Sequence, residues 1–154
     1  MRGGAVGAAG AIGLAILSVL SAYAIAAPQT ATKRSFTETL TGASISAHAS
    51  AYKVTSSLDG TGAAIQHWSV MGTKYPLHGT LTQTNYFPDG VSKAKGTFTL
   101  GALFENGRST ITGHGKCLGG TRVHRNEKCT FIFRGTYNSD TTIAVVQVIG
   151  TDTR

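Results

Sequence analysis

The chain has 154 residues and a formal net charge of +7, with 14 lysines and arginines against seven acidic residues. This length suits one domain with a hydrophobic core and excludes two domains of ordinary size. The basic residues are scattered and are not interleaved with aromatic residues or gathered on a helix, as nucleic-acid-binding proteins require. We therefore expect a solvated, cationic surface and no nucleic-acid partner.

The N-terminal segment has the features of a secretory signal. Residues 3–22 carry no charge, and Ala24-Ile25-Ala26 matches the small-x-small pattern that precedes cleavage. This predicts a signal peptide at residues 1–26 and a secreted protein, extracellular or periplasmic, with no stable membrane insertion after cleavage. An uncleaved anchor is the alternative, because about 20 apolar residues can span a bilayer. Residues 27–35 are predicted to form a flexible mature N-terminus before a domain at residues 36–154.

The rest of the chain reads as a series of β-strands. Segments rich in threonine, valine, isoleucine and aromatic residues are separated by glycine, asparagine and aspartate. The predicted strand segments are 39–54, 63–72, 77–87, 95–104, 108–117, 128–137 and 141–151. Asn106-Gly107 predicts a hairpin with a type I′ turn. Seven or eight strands on short connections favour an all-β domain, a single antiparallel, eight-stranded up-and-down β-barrel, because closure removes the sheet edges. A β-sandwich is the alternative.

The stretch GHGKCLGGTRVHRNEKCTF, residues 113–131, contains both cysteines. It lacks the Gly-Lys-Ser/Thr ending of a phosphate-binding loop. A metal site would need three or four ligands, for which the candidates are His114, Cys117, His124 and Cys129. A secreted chain with two cysteines more simply forms a Cys117–Cys129 disulfide. We therefore expect no metal ion and no cofactor.

The glycines of this stretch fit a strand. Gly113 and Gly115 share a face with Cys117, and glycine within a strand marks a bend or the close approach of another group. On the following strand, alternate residues from Cys129 to Tyr137 share one face. The disulfide is thus predicted to lie in a row of aromatic side chains, at a corner of the barrel.

Residues 113–137 resemble the closing strands of the allene oxide cyclase-like and dirigent-like barrel families. The chain is similar to what a secreted bacterial member of these families would show. The matching residues are Gly113, Gly115, Gly119, Gly120, Thr121, Phe131, Phe133 and Gly135. Cysteines occupy an aromatic and a glycine position of the motif, and Arg122 stands at the last glycine of its turn. The resemblance implies the barrel fold, and it implies a cyclase, an isomerase, a stereochemical guide or a barrel without catalysis.

The sequence offers little classical catalytic chemistry. The seven acids are scattered, mostly in turns, so no carboxylate pair for acid–base hydrolysis is expected, and no Gly-x-Ser-x-Gly is present. An eight-stranded barrel can instead enclose one small ligand or be filled by its own side chains. The predicted ligand-binding residues are Tyr52, Trp68, Phe98, Phe104, Phe131, Phe133 and Tyr137. Polar groups that could orient a ligand are His67, Gln83, Tyr86 and Gln147.

Three functions follow from this sequence. The first is a secreted barrel that binds a small hydrophobic molecule, and the second adds isomerase or cyclase activity or stereochemical guidance in the same cavity. The third is a packed barrel whose basic surface contacts a protein or a cell-envelope partner. An open cavity distinguishes the first two from the third, and the sequence leaves a homo-oligomer open.

Overall fold

The computed structural model describes residues 32–154, which form a closed barrel of eight antiparallel strands. Each strand pairs with the next, and β8 pairs with β1, so the predicted up-and-down barrel is confirmed and the sandwich is excluded. The strands are β1 Lys33–Ser46, β2 Ala49–Ser56, β3 Gly60–Met71, β4 Leu77–Phe87, β5 Gly90–Leu100, β6 Arg108–Gly120, β7 Lys128–Asn138 and β8 Ile143–Thr153. A 3₁₀ turn, Arg122–His124, lies between β6 and β7.

The signal peptide predicted at residues 1–26 lies outside the described residues. Across residues 32–154, no helix has the length and apolar character needed to cross a membrane. The flexible N-terminus predicted at residues 27–35 is wrong for Lys33, Arg34 and Ser35, which belong to β1 and pair with the last residues of β8; residues 27–31 lie outside the described residues. Closure of the barrel through this ladder fixes them.

Three local predictions are wrong. The strand predicted at residues 39–54 is two strands, since the chain reverses at Ala47-His48. The strand predicted to reach Phe104 ends at Leu100, where its pairing with Ile111 stops. In the hairpin that follows, Gly107 N–H donates to Phe104 O at 2.9 Å, and Gly107 alone in this turn has positive φ. A type I′ turn would also require positive φ at Asn106.

Aromatic rings lie over glycines on the inner side of the barrel wall. A Cβ on Gly42 would come within 2.7 Å of the Tyr52 ring, and one on Gly150 within 2.6 Å of the Phe36 ring. The same relationship joins Phe98 to Gly79, Phe131 to Gly115 and Phe133 to Gly113, each pair directly across a ladder. Because the missing side chains leave room at the wall, the rings lie along it.

Charges are segregated between the two sides of the wall. All seven acidic residues lie within the described residues, and not one is on the outward side of a strand: Glu38 and Asp152 point inward, and Asp59, Asp89, Glu105, Glu127 and Asp140 lie in turns or loops at the barrel ends. The outward positions carry exposed basic residues, namely Lys33, Lys53, Lys93, Lys95, Arg108, Lys116, Lys128 and Arg134. The charged residues on the outward side of the strands are therefore all basic.

Candidate functional site

A cavity of about 340 Å³ runs along the barrel axis. At one end its walls are partly exposed, at Val70, Leu77 and Leu100. At the other end the lining residues Phe36 and Phe87 are each only 8% exposed. The cavity therefore has an open end and a closed floor.

Six of the seven residues predicted to bind a ligand line this cavity: Tyr52, Trp68, Phe98, Phe131, Phe133 and Tyr137. Phe104 does not, and its side chain is 62% exposed. The inward–outward alternation on which its prediction rested stops with β5 at Leu100. Binding of a ligand by the six remains a prediction.

The disulfide forms as predicted between Cys117 and Cys129, whose Cα atoms are 4.9 Å apart across the β6–β7 ladder. Both cysteines line the cavity beside the aromatic row of β7. The bridge thus ties together two strands of the cavity wall, and no described cysteine is free to bind metal.

A chain of polar side chains crosses the inner wall of β2, β3 and β4. The Tyr52 hydroxyl lies 3.5 Å from Gln66 Oε1, Gln66 Nε2 donates to Gln83 Oε1 at 3.0 Å, and Gln83 Nε2 donates to Asn85 Oδ1 at 2.7 Å. Trp68 Nε1 donates to Ser50 Oγ at 3.3 Å. These side chains are neutral, and their hydrogen-bonding groups can orient a polar substituent of a ligand.

Of the polar groups proposed from the sequence, Gln83 alone faces the cavity. His67, Tyr86 and Gln147 are exposed on the outward side of β3, β4 and β8. Each of the three is next in sequence to an inward-facing residue of its strand. Because successive side chains of a strand point to opposite faces, these three point outward.

The floor is built around the Arg154 guanidinium. It donates to both carboxylate oxygens of Asp59, at 2.7 and 2.8 Å, and lies 3.2 Å from Glu127 Oε1. Arg154 Nε lies 2.6 Å from Asp152 Oδ2 without the alignment of a hydrogen bond, and Asp152 Oδ1 has no hydrogen-bond partner. Burial alone would lower the pKa of Arg154, but the hydrogen bonds and charge of Asp59, followed by Glu127 and Asp152, raise it. The floor is therefore an ion-pair network.

His124 extends this network to the rim. It is fully buried, with Nδ1 3.2 Å from Glu127 Oε2 and Nε2 3.3 Å from Asp89 Oδ1. Glu127 also accepts a hydrogen bond from the Ser92 hydroxyl. The 3₁₀ turn that carries His124 thus closes this end of the barrel from outside.

Glu38 faces the cavity from β1, next to the network. Burial, followed by the charges of Asp59 and Glu127, raises the pKa of its carboxyl, while a hydrogen bond with Ser56 and the charge of Arg154 lower it; the net result is a pKa of about 7. Among the described residues, no ion pair within 4 Å joins Glu38 to a cation. Glu38 is thus a carboxyl group that can change its protonation state near neutral pH at the edge of an apolar cavity.

Three potential metal ligands, Asp59, His124 and Glu127, converge within 4.8 Å at the floor. They are not the set considered from the sequence, since His114 lies exposed on the outer wall and both cysteines are in the disulfide. Arg154 already pairs with Asp59 and Glu127. We therefore interpret the trio as part of the ion-pair network.

The floor contradicts the expectation that the acids are scattered, because Glu38, Asp59, Glu127 and Asp152 meet there. The positions of these acids along the strands could have predicted that they meet. In an up-and-down barrel the starts of odd-numbered strands and the ends of even-numbered strands lie at the same end. Glu38 lies near the start of β1, Asp59 follows β2, Glu127 precedes β7 and Asp152 is near the end of β8.

Comparisons of the chain with protein-family models, with curated proteins and with solved structures gave no match. The resemblance to the allene oxide cyclase-like and dirigent-like families therefore rests on the quoted residues of the closing strands. The functional argument rests on the cavity and its floor.

Proposed function

We propose that this protein binds a small, largely apolar molecule within the barrel. The observation that carries the proposal is the cavity of about 340 Å³, which is lined by eight aromatic residues and has a few polar groups on the β2–β4 wall, at the floor and at the open end. Its volume and lining are typical of small-molecule sites, which combine mostly apolar walls with a few orienting polar groups. A barrel filled by its own side chains would leave no such space.

Glu38 extends this proposal to catalysis of the cyclase or isomerase type that the family resemblance implies. A general acid or base works best when its pKa lies near the working pH, and that of Glu38 is about 7. An enclosing wall also restricts the conformations of a reactive molecule, which favours one ring closure over others. Proton transfer to or from Glu38 is the step that we expect at the floor.

The cationic outer wall supports a second candidate function, contact with an anionic partner at the cell envelope. Lys95 and Lys116 are directly opposite one another across the β5–β6 ladder, and like charges in that arrangement destabilise a sheet. An anionic partner would relieve the repulsion. The cavity has no role in this function, so we place it second.

The deciding experiment is native mass spectrometry of the protein from its own producing cells, before and after denaturation. A small molecule released on unfolding supports the proposal and identifies the compound to test for turnover. Trp68 is the single tryptophan and lines the cavity, so its fluorescence reports rebinding.

Phe98→Ala and Phe104→Ala are matched variants for that titration, because Phe98 lines the cavity and Phe104 is exposed outside it. We expect Phe98→Ala to weaken binding several-fold and Phe104→Ala to leave it unchanged, with circular dichroism confirming the folded barrel in both. Equal effects of the two variants, or no small molecule bound under any condition, would favour the outer-wall function.

A further inference from the structure

The floor of the cavity has more carboxyl groups than cations. Five carboxyl groups lie in or beside the network: Glu38, Asp59, Asp89, Glu127 and Asp152. The basic groups in contact with them are Arg34, Arg154 and His124. Even when His124 is counted as protonated, two carboxylates remain unmatched if all five are ionised.

The surplus falls on Glu38. Arg154 is committed to Asp59, Glu127 and Asp152, and Arg34 reaches Asp152 at 3.3 Å from the outer rim. Glu38 has Ser56 as its hydrogen-bond partner, and it is the carboxyl that lines the cavity without a cation of its own. The unpartnered Oδ1 of Asp152 is a further sign of excess negative charge at this end.

The remainder of the cavity accepts hydrocarbon or aromatic surface. From Glu38 toward the open end the lining includes Leu40, Phe98, Ile111 and Phe133. An ionised carboxylate in such surroundings is costly unless a cation pairs with it. A cationic group on an otherwise apolar ligand would provide that pairing and would leave the rest of the ligand against the aromatic walls.

We propose that the ligand is a lipophilic amine whose protonated nitrogen pairs with the Glu38 carboxylate at the cavity floor. This inference rests on the proposed function, because it assumes that the cavity binds a ligand. Fatty acids and other anionic amphiphiles fit poorly, since their head group would meet Glu38, Asp59 and Glu127. Neutral alcohols fit the walls but leave the charge of Glu38 unpaired.

The pairing depends on pH because the groups facing Glu38 control its ionisation. These are Ser56 from β2, Asp59 from the β2–β3 turn, Glu127 before β7 and Arg154 after β8. Alkylamines remain protonated up to about pH 10, as lysine does. Binding of the amine should therefore strengthen as the pH rises through the titration of Glu38, while binding of a neutral analogue should not change with it.

The test compares decylamine, decanol and decanoate, which share one hydrocarbon chain, by Trp68 fluorescence and native mass spectrometry. At about pH 8 we expect decylamine to bind about tenfold more tightly than decanol, equivalent to about 1.4 kcal/mol. Decanoate should bind most weakly. At about pH 5.5 the preference for the amine should largely disappear, because Glu38 is then mostly protonated.

Glu38→Gln keeps the size of the side chain and removes its charge. We expect it to abolish the preference for decylamine and to keep decanol binding, which reports that the cavity is intact. Glu105→Gln, in the exposed β5–β6 loop, is the matched control and should keep the preference.

The outcomes separate the two proposals. Equal affinity for decylamine and decanol at about pH 8, or a preference that survives in Glu38→Gln, overturns the amine inference and leaves the cavity function standing. No binding of any of the three compounds to the wild-type protein overturns both.

Discussion

Phe133 lies directly across the β6–β7 ladder from Gly113, with its ring over the position that a Cβ on Gly113 would occupy. The same Cβ would also meet the backbone oxygen of Thr97 on β5. We expect Gly113→Ala to destabilise the barrel by about 1–3 kcal/mol, the usual range for overpacking. Urea unfolding measures the effect, and Thr112→Ala, outward on the same strand, should cost much less.

A double-mutant cycle tests whether the ring causes the loss. Phe133→Leu should cost less free energy of unfolding in the Gly113→Ala background than in the wild type, because there the ring is already displaced. Additive losses would show that the Thr97 backbone, and not the ring, restricts position 113.

Glu38 should make the stability depend on pH in the direction opposite to that of an ion-paired carboxylate. Its pKa is raised from 4.5 to about 7 on folding, so the folded state holds a proton that the unfolded state has lost between these values. Its contribution to stability is therefore complete below about pH 4.5 and is lost as the pH rises to about 7. Relative to the wild type, Glu38→Gln should be more stable above about pH 7, by up to about 3 kcal/mol.

Chemical denaturation at a series of pH values checks this prediction. The difference between wild type and Glu38→Gln should be small near pH 4.5, the ordinary pKa of the group, and should grow up to about pH 7. A difference that does not vary with pH would contradict it. Glu105→Gln should track the wild type throughout.

The Cys117–Cys129 bridge closes a loop with a sequence separation of 12. In the chain-entropy model, a loop of this length contributes about 3 kcal/mol. We expect Cys117→Ala/Cys129→Ala to lose about this amount and to keep the circular dichroism of the barrel, whose eight ladders do not depend on the bridge. Alkylation of the native protein without reductant should label neither cysteine, and labelling of both would show that the thiols are free.

Arg154 is the cation on which three floor carboxylates depend. Arg154→Met should destabilise the protein by about 3–5 kcal/mol, because it leaves buried carboxylates without a counter-charge. Arg154→Lys should lose less, since it retains the charge but not the paired hydrogen bonds to Asp59. An equal loss in both variants would show that the bidentate geometry, rather than the charge, stabilises the floor.

Features with a local signature could be predicted from the sequence. The β4 strand was predicted with its observed ends, 77 and 87, because its polarity alternates between two clear turns. The inward row from Cys129 to Tyr137 and the facing position of Cys117 follow from the same period of two. The inward row of β7 also positions three of the aromatic residues predicted for the cavity, Phe131, Phe133 and Tyr137.

The floor needed information that local patterns do not contain. Arg154 and Asp59 are 95 residues apart in sequence and meet because β8 and β2 both pair with β1. The prediction for Phe104 was wrong for a different reason. The alternation of residue types continues past Leu100, whereas the ladder between β5 and β6 ends there. Pattern alone does not report where a hydrogen-bonded ladder stops.

The segregation of charge across the wall gives the protein two faces with different electrostatic properties. The charged residues on the outward side of the strands are all basic. The interior contains Glu38, whose pKa is raised to about 7, so the charge inside the barrel changes near neutral pH. Under the proposed function, a change in acidity would therefore alter which ligand the barrel can hold.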